Sequence, residues 1–180
     1  MLAAEGGVYL AKDPGGRTAL SWAAECQEEE SYVAMGYLLE LTWDIDSRDE
    51  TGRTALSYAA ANMHYEAEKL VQRLLEAGAD PDCKDNLGKT PLLYAVENFS
   101  EYTHAKVHTL LQAGADPNIQ DNRGRTPIFA ASNHKQGGSV WDVLEAGGAN
   151  IHIRDAEGRR PYCCWEFLHD GNDYIREGPL

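Results

Sequence analysis

Apolar residues recur along the 180-residue chain in two alternating blocks. The first is short and alanine-rich: GRTALSWAAE from Gly16, GRTALSYAAA from Gly52, GKTPLLYAVE from Gly88 and GRTPIFAASN from Gly124. The second is Met35-x-x-Leu38-Leu39, then Val71-x-x-Leu74-Leu75, Val107-x-x-Leu110-Leu111 and Val140-x-x-Val143-Leu144. Inside each block the apolar positions have helical spacing. Polar stretches rich in glycine and aspartate follow: EAGADPDCKD from Glu76, QAGADPNIQD from Gln112, EAGGANIHIRD from Glu145, and the looser ELTWDIDSRD from Glu40. Such stretches read as turns. The pattern predicts a unit of helix, helix and turned finger, repeated four times. Thr18, Thr54, Thr90 and Thr126 mark it, each 36 residues after the last. A weaker copy, GRRPYCCWEF, starts at Gly158 with Arg160 in the threonine place.

Local signals agree with the pattern. Threonine is a good N-cap, and Pro91 and Pro127 stand at the first helical position, where a missing N–H costs little. The second helix ends at glycine in the second to fourth copies, matching a left-handed C-cap. Ala23, Ala59, Ala95 and Ala131 share one place, small enough for close helix approach. No helix pair covers its own apolar face, so the units must stack. The distance from threonine to the valine-type residue is 17 in the first three copies and 14 in the fourth. That difference places three residues between the two helices of the first three copies that the fourth lacks.

The three blocks, in fixed order over essentially the whole chain, resemble the ankyrin repeat. The resemblance implies an all-α solenoid of antiparallel helix pairs linked by β-hairpin fingers, forming one domain over 1–180. The expected units are 13–48, 49–84, 85–120 and 121–154, with 1–12 the tail of a truncated repeat and 155–180 a degenerate or incomplete fifth. Trp165 stands in the small-alanine place there, and Tyr174 and Ile175 are what remains for a second helix. These ends suggest a piece of a longer array or a shortened gene product. The starter motif departs from the family. Its histidine place holds Ser21, Ser57, Leu93 and Phe129, so a side-chain hydrogen bond is expected there only in the first two copies.

Charge narrows the partners. The formal net charge of −13 argues against nucleic acid and anionic membranes, which need basic surface. No apolar run approaches the ~20 residues of a membrane span, and the start lacks the basic and apolar regions of a signal peptide. Cys26, Cys83, Cys163 and Cys164 match neither a disulfide framework nor a zinc spacing. Free thiols suit a reducing compartment, so a cytoplasmic or nuclear, monomeric protein is expected.

The resemblance implies binding of a protein partner through finger tips and the inner face of the first helices. Mapped onto this chain, the candidate contacts are Arg17, Arg53, Lys89, Arg123, Arg125, Asn86, Leu87 and Asn122. The fingers and turns carry 11 of the 16 Lys/Arg but 12 of the 29 Asp/Glu, leaving five basic and 17 acidic residues on the helical body. Finger arginines could meet an acidic or mixed partner. Alternatively each pairs with the aspartate of its own finger, as Arg53 with Asp49. The inserted segments add Tyr32, Tyr65, Phe99 and Tyr102, expected along one lip of the inner groove, either as contacts or as covers for their own helices. His104 and His108 lie four apart but lack a third ligand, so a solvated helix face is expected rather than a metal site. No phosphate loop, nucleophile elbow or cofactor motif is present. The reading is a non-enzymatic interaction module, a scaffold or adaptor. The alternative is the recognition segment of a larger enzyme or signalling protein with catalysis elsewhere.

Overall fold

The computed structural model describes residues 11–27, 30–42, 44–132, 134 and 138–161. The expectations for Trp165, Tyr174, Ile175, Cys163 and Cys164 lie outside them, as does most of 1–12. Among the described residues, eight helices alternate in two layers. The first helices are α1 (Ala19–Glu25), α3 (Ala55–Ala61), α5 (Pro91–Glu97) and α7 (Pro127–Ala131). The second are α2 (Glu30–Leu41), α4 (Ala67–Glu76), α6 (Thr103–Gln112) and α8 (Gly138–Ala146). Each first helix packs on its second, and helices of one layer pack on the next of the same layer. The core runs through the stack as rows of equivalent residues. Leu20, Leu56, Leu92 and Ile128 form one row, and Met35, Val71, Val107 and Val140 another, all buried. Each such side chain contributes roughly 1.5–3 kcal/mol of transfer free energy.

The caps follow the sequence. Thr18, Thr54 and Thr90 accept the backbone N–H of Ser21, Ser57 and Leu93. Ser21 and Ser57 also reach their threonine hydroxyls at 3.2 and 3.3 Å, so the side-chain bond expected in the first two copies is present. Thr126 makes no cap bond, and its hydroxyl is buried without a partner. Gly78, Gly114 and Gly148 close α4, α6 and α8 with φ of +95°, +93° and +91°.

The fingers are turns, and no β-strand forms among the described residues. Each turn closes on two backbone bonds, such as Asp49 N to Arg53 O at 3.0 Å and Gly52 N to Asp49 O at 2.9 Å. Each is joined to its neighbour by another, such as Asn86 N to Thr51 O at 2.9 Å and Ala156 N to Arg123 O at 2.8 Å. Gly124 sits at φ +73°, and a Cβ there would lie 2.6 Å from Ala156 N. Glycine is required both for the conformation and for the close approach of the next finger.

Two expectations need correction. The three extra residues of the early copies are not a loop. They extend the helices: α5 has seven residues and starts one after Thr90, whereas α7 stops after five. Likewise α6 begins four residues before Val107, whereas α8 begins two before Val140. Lys106, whose charge by itself predicts a surface position, is fully buried. It holds the place that Leu70 fills one repeat earlier, 36 residues back. Its amine donates to the carbonyls of Ala60 and Asn62, at 2.9 and 2.6 Å, in the last turn and at the C-cap of α3. The stem packs like leucine while the head satisfies helix-end carbonyls that have no intrahelical donor.

Candidate functional site

The fingers and first helices build an inner face from repeated local geometry. In each finger the aspartate Oδ1 accepts backbone N–H groups two and four residues on. For Asp49 these are Thr51 N at 2.8 Å and Arg53 N at 3.0 Å. The second oxygen points to the residue four after the threonine. Trp22 Nε1 donates to Asp13 Oδ2 at 3.0 Å, the Tyr58 hydroxyl to Asp49 at 2.6 Å, and the Tyr94 hydroxyl to Asp85 at 2.6 Å. Burial pushes the Asp49 carboxyl up, but the bonds from Tyr58, Thr51 and Arg53 outweigh it and hold the group below its ordinary value. Burial, and then the bond to the carboxylate, push both tyrosine phenols up.

These rings alternate with the finger cations. The Arg17 guanidinium lies 3.8 Å from the Trp22 ring centre and 4.0 Å from that of Tyr58. Arg53 lies 3.8 Å from Tyr58 and 4.3 Å from Tyr94, and the Lys89 amine 5.3 Å from Tyr94. Three repeats thus share one cation–π ladder, each contact worth ~0.5–2 kcal/mol. The fourth repeat has Ala130 in the aromatic place. Its aspartate is left open, and Arg125 turns onto it: Nε and Nη2 reach Asp121 Oδ2 at 3.0 and 2.7 Å. Arg159 does the same with Asp155 at 2.7 Å. Pairing of each arginine with its own finger aspartate therefore holds for Arg125 and Arg159. It fails for Arg17 and Arg53, because an aromatic donor already occupies the second oxygen.

Other pairs close the row. Arg17 meets Glu25 at 2.7 Å, and Glu97 bridges Lys89 at 2.5 Å and Arg125 at 3.0 Å. A cavity of about 280 Å³ opens on this face, lined in part by Arg53, Tyr58, Met63 and Tyr94. Asn62 fixes its floor. Its amide donates to Ala24, Cys26 and Glu25 carbonyls at 3.1, 3.0 and 3.3 Å, tying the end of α1 to the second repeat.

The remaining sequence candidates divide. Leu87 is exposed at its finger tip, and Arg123 is exposed in the next finger. Asn86 and Asn122 are exposed, but their amides donate along the finger row to Glu50 O at 2.8 Å and Asn86 O at 3.0 Å. Tyr65 is exposed beside Met63. Phe99 is half-buried and stacks on His134 with ring centres 4.9 Å apart, and Tyr102 is half-buried at the start of α6. Tyr32 is not on the inner lip. It lies within α2 under the Arg73 guanidinium, 4.1 Å from its ring centre. His104 and His108 are both exposed on α6. No cluster of three metal-ligating side chains exists among the described residues.

The family model for ankyrin repeats, in three copies, matches residues 66–155. The chain belongs to the ankyrin-repeat family. Its solved structural relatives include the ankyrin repeat domain of Bcl-3, titled a unique member of the IkappaB protein family. That domain is 32% identical, with a TM-score of 0.73. The match covers 87% of this chain and 66% of that one, so this chain spans somewhat less than two thirds of that domain. No curated protein matches. Ankyrin-repeat domains are in general protein–protein interaction modules and are typically non-catalytic. Trp22, Tyr58 and Tyr94 were missed as site residues on sequence, although one aligned column shows them four residues after each threonine, with alanine in the fourth copy.

Proposed function

We propose that this ankyrin-repeat protein is a scaffold or adaptor that binds a protein partner along its finger tips and inner groove. One observation carries the reading. Three successive repeats jointly line the inner cavity, so a single partner segment would contact equivalent places in each. Met63 in its lining, and Trp22, Tyr65 and Leu87 elsewhere on the surface, expose between 46% and 58% of their area, the aromatic and aliphatic anchors an interface uses. The same reading takes the protein to be non-enzymatic and monomeric, to bind no nucleic acid, and to work in the cytoplasm or nucleus. The unpaired thiols of Cys26 and Cys83 and the acidic balance support it.

The test is affinity capture from the source cells with mass spectrometry, comparing wild type with the triple variant Met63→Ser, Tyr65→Ser, Leu87→Ser. All three side chains are exposed, so the fold is retained and circular dichroism checks it. A partner held by wild type and lost by the variant supports the reading. Equal recovery by both proteins places the interaction elsewhere.

A further inference from the structure

The inner cavity contains a cation that has no counter-ion among the described residues. Of the four inner-face cations, Arg17 is paired with Glu25, and Lys89 and Arg125 share Glu97. Among the described residues no carboxylate lies within ion-pair distance of the Arg53 guanidinium. Its Nη2 donates to Ser57 O at 3.1 Å, and its Nε is buried without an acceptor. Asp49 and Asp85 sit at the phenol ends of Tyr58 and Tyr94, their oxygens already taken by backbone N–H groups and tyrosine hydroxyls. The guanidinium is clamped between two rings, at 3.8 and 4.3 Å, so its orientation is set before any ligand arrives. The cavity beside it adds the amide side chains of Gln27 and Asn98 and the apolar Met63.

We propose that this cavity is a subsite for one carboxylate, the Asp or Glu side chain of a partner segment lying along the groove, received by the terminal nitrogens of Arg53. The inference rests on the interaction-module reading and names the partner chemistry. A planar guanidinium receives a carboxylate through two parallel N–H bonds, stronger and more selective than a point charge gives. Preorganisation between Tyr58 and Tyr94 removes most of the rotamer entropy that an exposed arginine loses on binding. Met63 and the ring faces suit the methylenes of the incoming side chain. Among the described residues of the cavity wall, Glu25 is the carboxylate that competes, and Arg17 draws it away at 2.7 Å.

The experiment uses two peptides, Ac-Leu-Ser-Glu-Ser-Leu-NH2 and its glutamine counterpart, titrated into the ¹⁵N-labelled full chain. The arginine Nε–H resonances are followed by NMR. The glutamate peptide is expected to shift the Arg53 resonance saturably, and the glutamine peptide to bind about tenfold more weakly, as the loss of a charge-assisted pair implies. Equal shifts from both peptides overturn the proposal. So do shifts at the exposed Arg123 and Arg154 as large as at Arg53, which is what unspecific ionic attraction gives. The glutamine peptide with a free C-terminal carboxylate is a third arm, and tighter binding by it overturns the side-chain source. Arg53→Gln should lose about tenfold in affinity and Arg53→Lys about threefold, since lysine keeps charge without the fork. Should Arg53→Gln not fold, Glu25→Gln decides. It leaves Arg53 in place and removes the competing carboxylate, so affinity for the glutamate peptide should rise about threefold. Unchanged or weaker binding in that variant overturns the proposal. Loss of peptide selectivity with partner capture intact removes the carboxylate subsite and leaves the interaction module standing.

Discussion

Lys106 gives the sharpest test of the packing. Replacing it with alanine removes three of the four carbons of a fully buried stem and the donor to both the Ala60 and Asn62 carbonyls. The lost methylenes cost about 0.8 kcal/mol each, and each carbonyl left without a donor costs about 1–3 kcal/mol. Relief of the buried charge offsets part of this. Burial pushes the amine down from 10.5 to about 8, a difference of about 3 kcal/mol at 1.36 kcal/mol per unit. The balance for Lys106→Ala is a loss of about 1–5 kcal/mol, read by urea denaturation at pH 7. The control on the same helix is His108→Ala, an exposed site, expected within about 0.5 kcal/mol of wild type. Lys106→Met keeps the stem and adds a pH signature. The lysine has a folded pKa below its unfolded one, so between about 8 and 10.5 the unfolded chain holds more protons. Wild-type stability therefore rises with pH across that window from this group, by about 2 kcal/mol between pH 8 and 9.5. The Cys83 thiol, which burial pushes up to about 11, gives the opposite slope, because the unfolded chain loses its proton first. It is common to wild type and methionine variant, so their difference isolates Lys106. Equal stability of Lys106→Ala and His108→Ala, or a difference between wild type and Lys106→Met that is flat from pH 7 to 9.5, would refute the reasoning.

Three further outcomes are expected. Leu110→Ala should cost about 2–5 kcal/mol, seen as a large drop in thermal midpoint, since the side chain is fully buried between central helices. Asn62→Ala should destabilise by about 1–3 kcal/mol and speed hydrogen exchange in α1 more than in α5, because its amide ties three carbonyls at the end of α1. Gly124→Ala should cost more than about 1 kcal/mol, measured by denaturant unfolding, since a Cβ at φ +73° would press on the backbone of the next finger.

The repeat itself was legible in the chain. Helix pairs, threonine caps, glycine stops and the rows Leu20–Leu56–Leu92 and Val71–Val107 follow from spacing, because helical periodicity and cap chemistry are local. Side-chain direction across repeats was not. Arg53 and Arg125 occupy one column of the alignment, yet Arg53 stacks between two tyrosines and Arg125 pairs with Asp121. The difference comes from a neighbouring column, where Ala130 leaves open an aspartate oxygen that Tyr58 fills two repeats earlier. That column was visible in sequence; its bearing on arginine needed the distances. Lys106 shows the same limit in reverse. A lysine in a leucine column reads as a surface residue until the structure brings two unsatisfied carbonyls from 46 and 44 residues away to its amine. Sequence alone determined the elements and their order, since these depend on each residue's near neighbours. Which polar groups meet across the stack was decided by the tertiary packing of one repeat on the next, where a buried donor must find its acceptor or be destabilising.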